Sequence, residues 1–130
     1  MTWNELGASK YVLLTTYKKD GTPAGAPVWV APEGDRIVVW TNPTTWKVKR
    51  IRRNSDVTLQ ASDARGRPIG DDVFTGTAAI LDAAGTQRVR DLVSRKYGII
   101  GTIAIKSHKL FRGADGSIGL AIVQRQTVGE

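Results

Sequence analysis

Apolar positions along this chain recur at two spacings, every second residue and every third or fourth, and the switches between them divide it into elements. Trp3 and Leu6 suit a short helical lead-in that closes between Leu6 and Lys10. Tyr11-Val12-Leu13-Leu14-Thr15-Thr16-Tyr17 is dense in β-branched and aromatic residues and predicts a strand, and Asp20-Gly21 beyond it supplies a hairpin signal. Over residues 24–30, alternation places Ala24, Ala26, Val28 and Val30 on one face and Gly25, Pro27 and Trp29 on the other. Pro27 lacks an N–H for a ladder and Gly25 lacks a side chain, so this segment predicts a bulge or an edge where a flat group approaches the backbone. A plain edge strand reads the same way. Pro32 to Asp35 predicts a turn, and further strands follow over residues 36–41, 56–62, 73–81 and 117–124. The first five strands, joined by short loops with one small helix between them, point to an antiparallel sheet closed or nearly closed into a barrel.

The helical spacing appears in three further places. Thr41, Asn42 and Pro43 break the third strand, and Thr44 or Thr45 can cap a short helix carrying Lys47, Lys49, Arg50, Arg52 and Arg53. At 100° per residue Val48 and Ile51 define its buried side, Lys47 falls at the edge of that side, and Trp46, Lys49, Arg50 and Arg53 lie opposite. Residues 84–97 place Val89, Leu92, Val93 and Tyr97 on one face, which predicts an amphipathic helix ending at Gly98. Residues 99–112 suit a third helix, although their β-branched density also suits a strand.

Composition adds bounds. One domain accommodates residues 1–130, and 41% hydrophobic with 24% charged residues is globular composition. No apolar run approaches the ~20 residues that span a bilayer, and the N-terminus lacks the regions of a secretory signal, so the expectation is a cytoplasmic protein that does not bind membrane. The absence of cysteine agrees with that and excludes disulfides and thiolate chemistry. A formal net charge of +7 and a pI near 10.1 ask for an anionic partner without choosing one.

Candidate chemistry narrows by elimination. His108 is the single histidine, set between Ser107 and Lys109 with no nucleophile motif, and one histidine without cysteine makes a poor metal site. There is no Walker sequence and no glycine fingerprint after a strand. What remains is a helix start with hydroxyls from Thr41, Thr44 and Thr45 and cations behind it, which is an anion-binding design; taken alone, the same charges also suit an ordinary solvated helix. Combined with the Gly25–Pro27 strand and several tryptophans, these parts fit a phosphorylated, flat heterocycle, with phosphate at Thr41, Thr45 and Lys47 and ring along Gly25 to Trp29. A cofactor supplying the reactive atom explains an enzyme without acid–base residues.

The runs Lys10-Tyr11-Val12-Leu13-Leu14-Thr15-Thr16, Asp20-Gly21-Thr22-Pro23, Pro27-Val28-Trp29, Trp40-Thr41 and Trp46-Lys47-Val48-Lys49-Arg50-Ile51-Arg52 resemble the split β-barrel superfamily that includes pyridoxamine-phosphate oxidase. Within it the chain is most similar to the deazaflavin-dependent group of probable coenzyme F420-dependent oxidoreductases. The resemblance implies a mainly β fold with peripheral helices, a six-stranded antiparallel split barrel, FMN-binding-split-barrel-like, forming a homodimer with cofactor at the subunit interface. It implies that Thr41, Thr45 and Lys47 take the phosphate, that Pro27, Val28 and Trp29 lie along the ring, and that Lys47, Lys49, Arg50 and Arg53, with Trp46 among them, border the oligoglutamate tail. Arg65 and Arg67 are weaker candidates. The activity implied is hydride transfer from reduced deazaflavin to an electron-poor small molecule, with a proton from solvent or a nearby Tyr, Ser or Lys. One departure is Trp46, which stands where the oxidase carries an arginine; another is the missing C-terminal substrate motif, which argues against pyridoxamine phosphate. The alternatives are an FMN- or haem-binding barrel, including one that only stores or delivers cofactor, and a nucleic-acid-binding barrel, disfavoured because Tyr and Phe total only five.

Overall fold

The computed structural model describes residues 1–100 and 117–125. Six strands, β1 (Tyr11–Tyr17), β2 (Pro23–Glu33), β3 (Arg36–Thr41), β4 (Asp56–Ser62), β5 (Phe74–Ile80) and β6 (Ile118–Gln124), form a closed antiparallel barrel in the order β1-β2-β3-β6-β5-β4. Three helices accompany them: α1 (Trp3–Gly7), α2 (Trp46–Arg53) and α3 (Ala83–Ile100). The barrel expected from the resemblance is therefore present.

Alternation builds the interior. Val12 and Leu14 of β1, Val28 and Val30 of β2, Ile37 and Val39 of β3, Val57 and Leu59 of β4, and Leu120 and Ile122 of β6 converge on one core. Gly76 of β5 leaves room there, because a Cβ at that position would stand 2.6 Å from Ile122. A second core lies outside the barrel, where Val89, Val93 and Tyr97 of α3 cover Ala31, Val38, Trp40 and Ala121. Strand β3 is thus buried on both faces, and it reads as a continuous apolar run for that reason. Arg88 of α3 donates from Nε to Glu33 Oε2 at 2.7 Å, and Arg36 bonds the other oxygen, tying the helix to the β2–β3 hairpin.

Several boundaries differ from those the sequence predicts. Strand β2 runs through Pro32 to Glu33, since Ala31 is buried beneath α3 and Pro32 still faces Ile37; the turn shrinks to Gly34 and Asp35, with Gly34 at φ 61. Helix α1 contains Trp3 and Leu6 and closes at Gly7 as expected, under a Thr2–Glu5 capping box that the sequence reading overlooked. Helix α3 does not stop at Gly98, which lacks the positive φ of a helix-ending glycine, and continues to Ile100. Most of the segment predicted helical over residues 99–112, and His108 with it, lies outside the described residues. No helix among the described residues is long and apolar enough to cross a membrane.

The prediction of an edge around Pro27 is met in an unexpected way. Strand β2 has partners at both ends, but it pairs with β1 through Pro23–Val28 and with β3 through Trp29–Glu33. One side of the Gly25–Pro27 backbone is therefore free of a strand partner inside a closed barrel.

Candidate functional site

A cavity of about 280 Å³ opens where β2 changes partners. Its walls are Tyr11, Pro27, Val28, Trp29 and Trp40, and its far end is Thr41, Asn42, Thr45 and Lys47, with Ala64 at the rim. Trp29 and Trp40 face each other in the β2–β3 register, so two indoles stand side by side on the outer surface of the sheet, over the second core. Six of the ten residues expected to hold a cofactor come together here: Pro27, Val28, Trp29, Thr41, Thr45 and Lys47.

The chain turns into α2 through an Asn42-centred loop. Asn42 Oδ1 accepts from the Thr44 N–H at 2.8 Å and from the Thr44 hydroxyl at 2.7 Å. Thr45 occupies the N-cap position, but its hydroxyl donates back to the Asn42 carbonyl at 2.8 Å and makes no cap bond to the helix. Thr45 is thus the cap residue expected, by its backbone position and without a side-chain bond to the helix. No acidic residue stands in the first turn, so the leading N–H groups of α2 and the positive end of its dipole have no carboxylate beside them.

Val48 and Ile51 are buried as the helical period predicts, and Lys47 is half-buried at their edge. It makes no hydrogen bond or ion pair among the described residues. Burial pushes its ammonium below the usual lysine value of 10.5, and the Arg50 charge adds to the effect. The sign of the pH dependence follows. Below its lowered pKa Lys47 is charged and attracts an anion; as pH rises through that value the attraction is lost, earlier than an unperturbed lysine would lose it. In the ligand-free protein the burial cost of the charge is relieved over the same rise, so this group contributes increasing stability toward pH 10.5. Anion titrations across alkaline pH should therefore show affinity falling early in the wild type and later in Lys47→Arg.

The other four expected residues occupy a separate, shallower basin. Trp46, Lys49, Arg50 and Arg53 line a hollow of about 530 Å³ together with Lys18 and Lys19 from the β1–β2 turn. Trp46 is 65% exposed, with the Lys49 ammonium 4.7 Å and the Arg50 guanidinium 5.8 Å from its ring. Arg53 donates to the Tyr17 carbonyl at 3.1 Å, which holds the end of α2 against β1. Arg65 and Arg67 line neither space; Arg67 is paired with Asp63 at 2.8 Å. Sequence reasoning missed Tyr11, Trp40, Asn42 and Ala64 in the slot and Lys18 and Lys19 in the basin. Alternation counted through Val38 would have placed Trp40 outward, and the two adjacent lysines at a hairpin tip were a visible charge signal.

The family described as pyridoxamine 5'-phosphate oxidase matches residues 4–114. No curated protein matches the chain. Among solved structures, a conserved hypothetical protein from Mycobacterium tuberculosis is 24% identical, with 97% of this chain and 82% of that one covered at a TM-score of 0.71. The haem storage protein HutZ from Vibrio cholerae is 12% identical, with coverages of 95% and 87% and a TM-score of 0.67. An F420 reductase is 15% identical, with coverages of 97% and 95% and a TM-score of 0.60. These structures share the fold.

Proposed function

The chain belongs to the pyridoxamine 5'-phosphate oxidase family, and from that premise we propose that it is an oxidoreductase using coenzyme F420 to reduce an electron-poor small molecule. The observation that carries this reading is α2 bordering two spaces at once. Its half-buried Lys47, unpaired among the described residues, closes an aromatic slot, while Lys49, Arg50 and Arg53 join Lys18 and Lys19 in a basin with no acidic residue among its described lining. The ring lies in the slot against Trp29 and Trp40, the phosphate lies at Thr41, Thr45 and Lys47, and the anionic tail runs over the basin. A flat group suits the slot because Pro27 lines it and the Gly25–Pro27 backbone has a side without a strand partner.

The chemistry such a group supplies when bound is hydride exchange. The residues of this chain bind, orient and desolvate. Trp29, Trp40 and Val28 exclude water from the slot, and Lys47 with the first-turn N–H groups fixes the anionic end. Tyr11 contributes a phenol to the lining, and in this reading the proton comes from it, from Lys47 or from solvent.

FMN is the second reading, favoured by the slot and the basin being separate: one phosphate needs only the Lys47 end. Haem fits less well, since the described residues lining the slot include no histidine, cysteine or methionine. Titrating cofactor-stripped protein with F420 and FMN in parallel, by fluorescence at physiological salt, tests the choice. Saturable F420 binding tighter than FMN is expected; a preference for FMN overturns it.

We further propose a homodimer. A slot of about 280 Å³ is smaller than the roughly 300–1,000 Å³ of complete ligand sites, and the outer sheet surface continuing from it presents Leu13, Pro23, Gly25 and Pro27 with no charge. Light scattering on the eluting protein should give twice the 14.1 kDa of one chain; a monomer mass at micromolar concentration would count against the shared site.

A further inference from the structure

We propose that Lys96 and Tyr97 of α3 form a wedge in the β1–β2 ladder that holds the slot open, making Tyr97 a positioning residue for its aromatic walls. This role rests on the functional reading of the slot given above.

The register carries the argument. Val12 faces Val28 at the last β1–β2 pair, so a ladder continued two residues further would set Lys10 opposite Val30, with Tyr11 opposite Trp29 between them. That continuation is absent. The Tyr97 hydroxyl stands in its place: it accepts from the Val30 N–H at 3.1 Å and donates to the Lys10 carbonyl at 2.6 Å. Those are the two backbone groups a continued ladder would have offered each other. Lys96 completes the insertion, its ammonium donating to the carbonyls of Val30 at 2.7 Å, Ser9 at 2.6 Å and Gly7 at 3.1 Å. Both polar groups of Val30 are thus taken by α3, and β1 and β2 stay apart where Tyr11 and Trp29 line the slot.

The same phenol supports one wall directly. Its ring stacks on Trp29 with centroids 4.3 Å apart and planes 6° from parallel, and it is 2% exposed. Trp29 therefore has Tyr97 behind one face, and its position is fixed from α3. Burial holds the phenol protonated, with its pKa pushed up to about 12, so it donates to Lys10 throughout the ordinary pH range.

Two substitutions separate positioning from stability. Tyr97→Phe keeps the stacked ring and loses the hydroxyl; Lys96→Met keeps the aliphatic stem and loses the three carbonyl bonds. Leu59→Ala, in the barrel core, is the control for destabilisation alone. At a temperature where all variants are folded, Tyr97→Phe and Lys96→Met should each weaken F420 and FMN binding about tenfold, roughly the effect of one misplaced hydrogen-bonded contact, while inorganic pyrophosphate affinity stays within about twofold. Leu59→Ala should bind all three as the wild type does. A second readout needs no cofactor. In a Trp46→Phe background Trp3 and Trp40 are buried, so acrylamide quenching reports Trp29, and it should rise in both α3 variants. Unchanged cofactor affinity and unchanged quenching, with only the melting temperature lowered, would overturn the wedge. If the wild type binds neither cofactor, the reading of the slot fails, and the quenching result alone then decides for or against the wedge.

Discussion

Replacing Lys47 with alanine lowers the affinity for a phosphate-bearing cofactor roughly 10- to 100-fold, the loss expected when a charge-assisted contact of about 1.5–3 kcal/mol is removed. The site makes Lys47 the most sensitive cation of α2. It is half-buried at the inner end of the slot and has no carboxylate partner among the described residues, so its charge is available to a ligand without breaking a bond to any of them. Lys47→Arg keeps the charge but trades a compact ammonium for a planar fork, and it should recover only part of the affinity. Arg65→Ala, which alters a cation outside both spaces, should leave binding close to wild type. Stability gives an independent check: a buried, unpaired charge opposes folding, so Lys47→Ala should melt no lower than the wild type in the absence of ligand. Fluorescence titration and thermal melts on the same samples measure both, and an unchanged cofactor affinity for Lys47→Ala would remove Lys47 from the site.

Leu59→Ala tests the barrel itself and should cost about 2–5 kcal/mol. Leu59 is fully buried and faces Leu14 across the β1–β4 ladder, with Val57 beside it on the same strand. Gly76 across β4–β5 has no side chain with which to fill the space left behind, and Ile122 already stands against it. The cavity would therefore persist. For a chain of this length the loss corresponds to a fall in melting temperature of about 10 °C or more. Thermal denaturation followed by circular dichroism measures it, and a fall of only a degree or two would mean that the barrel closes around the missing methyls.

The strands were legible because their faces differ. Val12 and Leu14 alternate with Tyr11, Leu13 and Thr15, and Val28 and Val30 alternate with Pro27 and Trp29, so period two survives in the sequence. The same logic fixed Val48 and Ile51 as the buried side of α2 and left Lys47 at its edge. What alternation could not express was β3, buried on both faces by two different cores, nor the extension of β2 through Pro32, which depends on α3 covering Ala31. Of the candidate site, the Pro27–Trp29 strand and the cations of α2 were readable from local composition. Their division into a slot and a basin was not, because it follows from which side of one helical turn each residue occupies. Tyr11, Lys18 and Lys19 reach the site only through the β1–β2 pairing. The role of Tyr97 was hidden further: helical period marks it as core, and nothing local says that its hydroxyl ends 67 residues away in sequence, at Val30.

That one eight-residue helix borders both spaces has an evolutionary consequence. Lys49, Arg50 and Arg53 project from the side of α2 opposite Val48 and Ile51, so they can change without touching the barrel core, although losing the Arg50 charge lets the Lys47 pKa rise and losing Arg53 releases its bond to the Tyr17 carbonyl. On the function proposed above, descendants of such a chain could therefore exchange a long-tailed cofactor for a short one by drift at three surface codons, with the lining of the slot unchanged.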